Sequence, residues 1–272
     1  MKHVSIVGYG FVGKAMKKLF PDAVIYDPSQ KDISVSKEEI NKGDVGFVCV
    51  PTPMNDDGSC DTSIVEEVVG WLTTPLIIIR STIKPGTTNT LIAHYPDKHI
   101  IFQPEYVGET TAHPLLNESE RSFLIFGGSK EDCTHAVELY QSIYNSSVKI
   151  MFLSPLEAEI TKYFENTTIA TMVTLVNEYY NICKTFGADY HMVREAFLLD
   201  PRMSRYFTFV YPDRRGFEGK CLPKDLNAIT QASIHAGYVP EFIQDILKNN
   251  DRIRQETTSN SSPASLPPPP RI

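Results

Sequence analysis

Five cysteines, Cys49, Cys60, Cys133, Cys183 and Cys221, are scattered through 272 residues. They form no C-x-x-C pair and no Cys/His spacing of the kind a zinc site requires. Cys221 alone has reactive neighbours, in the run Gly219-Lys220-Cys221-Leu222-Pro223-Lys224-Asp225 at a loop-to-helix junction. A thiol close to a helix N-terminus and to cations has its nucleophilic thiolate form favoured. An isolated cysteine is more often a small buried hydrophobe, so the reading rests on those neighbours. Lys162 and Asn166 stand four apart in a segment of helical period and project from one face toward one point. The plain alternative for such a pair is solvated helix surface.

A second constellation opens the chain. An apolar run at 4–7 leads directly into Gly8-Tyr9-Gly10-Phe11-Val12-Gly13 and then a segment of helical period. In that strand–turn–helix setting the first glycine allows the tight turn, the second lets backbone approach a pyrophosphate, and the third lets helix pack on strand. The helix N-terminus turns unpaired N–H groups and a positive dipole end toward the phosphates. Asp27 ends the second apolar run, where a carboxylate accepts from ribose hydroxyls and repels a 2′-phosphate. The cofactor expected from these residues is NAD rather than NADP.

Apolar runs at 4–7, 23–26, 45–50, 76–79, 99–102, 123–126 and 148–153 alternate with helical patterns at 14–19, 62–71, 88–95 and 131–143. Continuously apolar strands interleaved with helices predict a Rossmann-type, doubly wound parallel α/β sheet over residues 1–153. Beyond Ser154 and Pro155, residues 156–186 carry no Pro or Gly and repeat apolar positions at helical intervals. Ser154 as N-cap, Pro155 at the first helical position and Gly187 past the end predict one long helix. Shorter helices are expected at 189–198, 225–236 and 241–248. These define an all-α domain over 154–252, followed by a Pro-rich tail, 253–272, expected to be disordered.

The balance of 26 Lys and Arg against 33 Asp and Glu, a net charge of -7, argues against a nucleic-acid binder. No run approaches the roughly 20 apolar residues that span a bilayer, and the first apolar run is too short for a signal peptide. With unpaired cysteines, these features predict a cytoplasmic protein without a metal or a membrane partner.

The chain resembles the UDP-glucose/GDP-mannose dehydrogenase family. The resemblance rests on motifs in order over nearly all of residues 1–250: the glycine run; Val50-Pro51-Thr52-Pro53; Ser81-Thr82-Ile83-Lys84-Pro85-Gly86-Thr87-Thr88; Gln103-Pro104-Glu105-Tyr106; Glu157-Ala158-Glu159 with Lys162 and Asn166; Asp200-Pro201-Arg202-Met203; and Cys221-Leu222-Pro223-Lys224-Asp225. It implies four-electron oxidation of a nucleotide-sugar C6 alcohol to the carboxylate, UDP-glucose to UDP-glucuronate in type, with two NAD per turn. Cys221 would carry the thiohemiacetal and thioester, dividing one difficult oxidation into easier stages. Lys162 and Asn166 would stabilise the alkoxide and the tetrahedral oxyanion. Asp225, Glu105 and Thr82 fall where the family orients a water molecule and takes its proton; which of them is the base stays open. Thr52, Thr82, Glu109 and Lys224 join Gly8, Gly10, Phe11, Val12, Gly13 and Asp27 as cofactor contacts. Glu105, Lys162, Asn166, Arg202 and Gly219 become substrate contacts. The resemblance also implies a homodimer built on the long helix, with Arg202 reaching the neighbouring subunit's site.

Against the family pattern, the chain is expected to be a shortened form without the C-terminal UDP-binding domain. Glu218 is a carboxylate that could repel a nucleotide-sugar phosphate. Arg202, Arg205, Arg214, Arg215, Lys220 and Lys224 form a basic neighbourhood that either replaces a lost pyrophosphate contact or makes surface ion pairs. Two other functions stay open: a two-electron β-hydroxyacid-type dehydrogenase, which has no use for Cys221, and a catalytically degenerate NAD-binding protein.

Overall fold

A computed structural model describes residues 2–108 and 117–259. Glu109, expected at the cofactor, and residues 260–272 of the expected tail lie outside the described residues. The chain divides into two compact units: one from Met1–Glu165 with Asn227–Gly237, the other from Asn166–Leu226 with the described residues from Tyr238 onward. The division falls inside the long helix rather than at residue 153, because the helix's first turns pack on the sheet.

In the first unit seven strands, β1 (Val4–Val7), β2 (Val24–Tyr26), β3 (Val45–Val48), β4 (Leu76–Ile79), β5 (Ile100–Phe102), β6 (Phe123–Gly127) and β7 (Lys149–Leu153), form one sheet in the order β2-β1-β3-β4-β5-β6-β7. All pairings are parallel except β5 with β6, which meet antiparallel at Phe102 and Gly127. Helices α1 (Phe11–Leu19), α2 (Lys37–Ile40), α3 (Ser63–Trp71), α4 (Thr87–His94) and α5 (Lys130–Tyr140) lie between the strands. Successive strand residues point to opposite faces. Ile6, Phe47, Ile78 and Ile101 accordingly pack with Met16 and Tyr140 on one side, and Val7, Val48, Ile77 and Ile79 with Val65, Val68 and Leu91 on the other. Edge strand β7 departs from the expected buried pattern, since Ile150, Met151 and Phe152 are exposed.

Helix α6 (Pro155–Phe186) starts and stops as its sequence predicts. Ser154 Oγ accepts from Glu157 N at 3.3 Å and Ser154 N donates to Glu157 Oε2 at 2.8 Å, a reciprocal capping box. Gly187 takes φ +69, and Ala188 N closes the end on Cys183 O at 2.8 Å. The second unit continues with α7 (Tyr190–Phe197), the first turn of α8 (Leu222–His235) and α9 (Glu241–Ser259). Its core joins Ala170, Phe217, Leu226 and Ile246. Helix α9 corrects the expected tail boundary at residue 253: Ile253 is fully buried, so the helix continues well past residue 248. No helix among the described residues is long and apolar enough to cross a membrane.

Candidate functional site

The glycine run is shaped for a dinucleotide. Gly8 takes φ +91, and a Cβ there would lie 2.5 Å from Cys49 O. A Cβ on Gly13 would overlap the carbonyl of Gly8, whereas one on Gly10 would meet nothing within 4 Å. Two of the glycines are thus required by close packing, and the third leaves the backbone open to a ligand. Gly10 caps α1 without a side-chain hydrogen bond, with Phe11 and Val12 beginning the first turn. Asp27 Oδ2 accepts from Tyr9 N at 2.7 Å, and Oδ1 accepts from Ser29 N and Oγ at 2.8 and 2.7 Å. Burial raises this carboxyl, but the bonds from Ser29 and Tyr9 outweigh it and hold the group below the usual carboxylate range. It therefore presents a negative charge that opposes a 2′-phosphate. The residues present fit NAD.

Elsewhere in the first unit, Thr52 Oγ1 donates to Thr82 O at 2.7 Å, joining the loops after β3 and β4. The loop carrying Thr82 is fixed by a residue whose role the sequence did not disclose. Fully buried Glu159 accepts from Gly86 N at 2.5 Å and Thr88 N at 2.8 Å, capping α4 from α6. Lys162 Nζ lies 4.0 Å from Glu105 Oε2 and 3.6 Å from Glu165 Oε2. Burial raises Glu105, and Lys162 and Arg80 offset this only in part. One cation and two acids thus share a partly buried corner; Glu165 was not among the expected site residues, although its i,i+3 spacing from Lys162 was a usable signal.

The second unit holds the thiol. Asp225 N donates to Cys221 O at 2.9 Å, so Cys221 is the N-cap of α8, with its side chain exposed. The other four cysteines are buried. Burial pushes the Cys49 thiol up to about 12 and Cys133 to about 11, which makes them poor nucleophiles. Asn166 Nδ2 donates to Asp225 Oδ2 at 2.6 Å, and Lys224 Nζ pairs with Asp225 Oδ1 at 2.8 Å. Asp225 therefore ties α6 to the thiol-bearing turn within one unit. Gly219, with φ +90, makes the left-handed bend that leads into Cys221.

The basic neighbourhood is largely paired. Arg202, with a side chain 82% exposed, directs Nε and Nη2 at Asp200, at 3.0 and 2.5 Å. Arg205 pairs with Glu195 at 2.7 Å and Arg215 with Glu256 at 3.7 Å. Glu218 accepts from Arg214 at 3.0 Å and Arg254 at 2.6 Å, so two guanidiniums face the carboxylate expected to repel phosphate. These pairs follow the ion-pair alternative.

A mostly parallel, doubly wound sheet with a dinucleotide-shaped glycine turn, followed by helices that carry an N-cap thiol, defines a Rossmann-type dinucleotide-binding fold with a helical continuation. Residues 21–148 match the NAD binding domain of the UDP-glucose/GDP-mannose dehydrogenase family and residues 156–252 match its central domain; the chain belongs to that family. It is 26% identical over 245 residues to the UDP-glucose 6-dehydrogenase of Rickettsia bellii, covering 86% of this chain and 55% of the relative. It is 27% identical to the UDP-glucose 6-dehydrogenase AglM of Haloferax volcanii, covering 91% and 69%. The chain thus spans between about half and two thirds of these relatives. The fold is similar to a UDP-glucose dehydrogenase from Pyrobaculum islandicum, with TM-score 0.78, 23% identity and coverage of 93% of this chain and 68% of that one. It is also similar to a Mycobacterium tuberculosis 3-hydroxyisobutyrate dehydrogenase, with TM-score 0.70, 15% identity and coverage of 94% and 95%.

Proposed function

We propose that this chain is an NAD-dependent nucleotide-sugar 6-dehydrogenase that oxidises a C6 alcohol to the carboxylate, with UDP-glucose as its substrate. The observation that carries the reading is Cys221 at the N-cap of α8, one turn before an Asp225 that bonds Asn166 at 2.6 Å. When bound, NAD supplies the hydride acceptor. The Cys221 sulfur adds to the C6 aldehyde carbon, and the resulting thiohemiacetal is oxidised to a thioester that water hydrolyses. Lys162 and Asn166 donate to the oxygen that gains charge, a role suited to preorganised donors. Asp225, which accepts from Asn166 and forms an ion pair with Lys224, orients the hydrolytic water together with Glu105 and Thr82. Lys224, Thr52 and Glu109 serve the cofactor, Gly219 and Arg202 the substrate. The helical domain over 154–252 is the catalytic and dimerising part, and the protein acts in the cytoplasm.

Leu175, Tyr179, Ile182 and Phe186 lie at i, i+4, i+7 and i+11 of α6 and are 48, 52, 42 and 83% exposed. A stripe of that spacing is a helix-packing face, which supports a homodimer. Light scattering should give twice the chain mass at micromolar concentration, and a monomer would exclude the dimer.

The second reading, a two-electron β-hydroxyacid-type dehydrogenase, is favoured by the 95% coverage of the hydroxyisobutyrate dehydrogenase chain. One assay separates the readings: NADH released per sugar consumed, with UDP- and GDP-sugars offered. Two supports the proposal and one supports the alternative. None, with NAD binding retained, supports a protein that has kept its cofactor site and lost catalysis.

A further inference from the structure

Lys162 stands between two acids, and the family resemblance supplies only one of them. Its Nζ lies 4.0 Å from Glu105 and 3.6 Å from Glu165, both longer than a charge-assisted hydrogen bond. Glu165 follows Lys162 by three residues on α6 and shares its face. Its Oε2 is buried, while the side chain as a whole keeps 35% exposure. Among the described residues, the charged and titratable groups facing it are Lys162 from its own helix, Glu105 and Tyr106 from the segment after β5, and Arg121 from the turn before β6. The Tyr106 ring steadies this arrangement, with Lys162 Nζ 5.2 Å and the Arg121 guanidinium 4.9 Å from its centroid. The ammonium is close to both acids and tight on neither, so neutralising one carboxylate draws it toward the other.

We propose that Glu165 is a positioning residue for Lys162: its carboxylate counterbalances Glu105 and keeps the ammonium where it can reach the reacting oxygen. The role rests on the reading of Lys162 as the donor to the developing oxyanion. When Glu165 takes a proton, the ammonium collapses onto Glu105. Burial pushes the Glu165 carboxyl up to about 6; Lys162 pulls it down and Glu105 pushes it further up, so the change falls within an ordinary assay range.

The test begins with kcat and KM against pH for the native chain, Glu165→Gln and Glu165→Asp, with NAD and the sugar it oxidises. The native kcat should fall as pH drops through about 6 while KM changes little. Glu165→Gln should lower kcat at neutral pH by about ten- to a hundredfold, the scale of a misplaced catalytic group. Its acid limb should move to lower pH, because Glu105 loses a like-charged neighbour, and Glu165→Asp should restore part of both. A Glu165→Gln protein with native kcat and an unmoved limb overturns the proposal. Independently of turnover, carboxyl NMR should show Glu165 titrating near 6 and moving higher in Lys162→Met. A midpoint in the ordinary glutamate range, unmoved by Lys162→Met, also overturns it. If the native chain oxidises no sugar, the functional reading falls, and the titration still decides whether Glu165 and Lys162 are coupled.

Discussion

Among the described residues of the first unit, Glu118 is shared by two guanidiniums while Lys162 stands near two carboxylates, and the geometry differs accordingly. Arg80, Arg121 and Glu118 have side chains 0, 0 and 2% exposed. Both arginines bond Glu118 Oε1, Arg121 at 2.7 Å. Burial pushes Glu118 up, but Arg80 and Arg121 more than reverse it and hold the acid below its usual range. Around Lys162 the contacts are 3.6 and 4.0 Å, and burial leaves both acids raised. An excess of cation locks a buried carboxylate into its charged form, whereas an excess of carboxylate leaves protons free to come and go. The first arrangement suits a scaffold and the second a reacting site.

The largest effect should come from breaking the tight cluster. Glu118→Gln takes from two buried guanidiniums the carboxylate they bond and should cost about 3–5 kcal/mol of unfolding free energy in urea titration. Replacing all three residues by apolar ones of similar volume should cost much less; an equal loss would show that packing, not charge, governs the cluster. At the loose cluster Lys162→Met should lower turnover by about 10²–10³-fold, the scale of a lost oxyanion donor. Its urea midpoint should stay near native, because the acids left behind can take up protons. A collapse of stability would place Lys162 with the scaffold. Between these stands Glu159, a buried acid satisfied by neutral N–H groups alone. Glu159→Ala strands the amides of Gly86 and Thr88 and should cost about 2 kcal/mol, with hydrogen exchange rising first in α4.

What the sequence discloses here divides by range of interaction. Strands β1 and β4 begin and end as their apolar runs predict, because a doubly covered strand leaves a continuous signature. The place of Cys221 at a loop-to-helix junction was readable from its neighbours, although α8 begins at Leu222 rather than at the expected residue 225, and the ends of α6 were readable from Ser154 and Gly187. The antiparallel entry of β6, the Arg80–Glu118 pair and the grip of Glu159 on Gly86 were not readable, since each joins residues far apart in the chain. Past residue 248, α9 was hidden for a related reason. Its polar residues bond to distant partners, Arg252 to Glu178 at 2.6 Å and Arg254 to Glu218 at 2.6 Å, rather than following an apolar period.

The smallest effect is also the sharpest test of the contrast, because the two clusters should respond to pH with opposite signs. Glu118 is depressed in the folded chain, so its contribution is present above the unfolded value near 4.5 and is lost as pH falls through the folded one. Glu165 is raised from 4.5 to about 6, so its contribution is complete below 4.5 and is lost as pH rises through 6. Urea midpoints followed from pH 4.5 to 7 should therefore carry a shallow downward component in the native chain that Glu165→Gln reduces by its own share, leaving that of Glu105 and Glu159. The Glu165 share should stay below about 1 kcal/mol, because a carboxylate exposed by a third is screened by solvent. Glu118→Gln should leave that component in place and instead lessen the loss of stability below pH 4.5. A downward component left unchanged by Glu165→Gln would assign it to the other raised acids, Glu105 and Glu159, and take Glu165 out of the contrast.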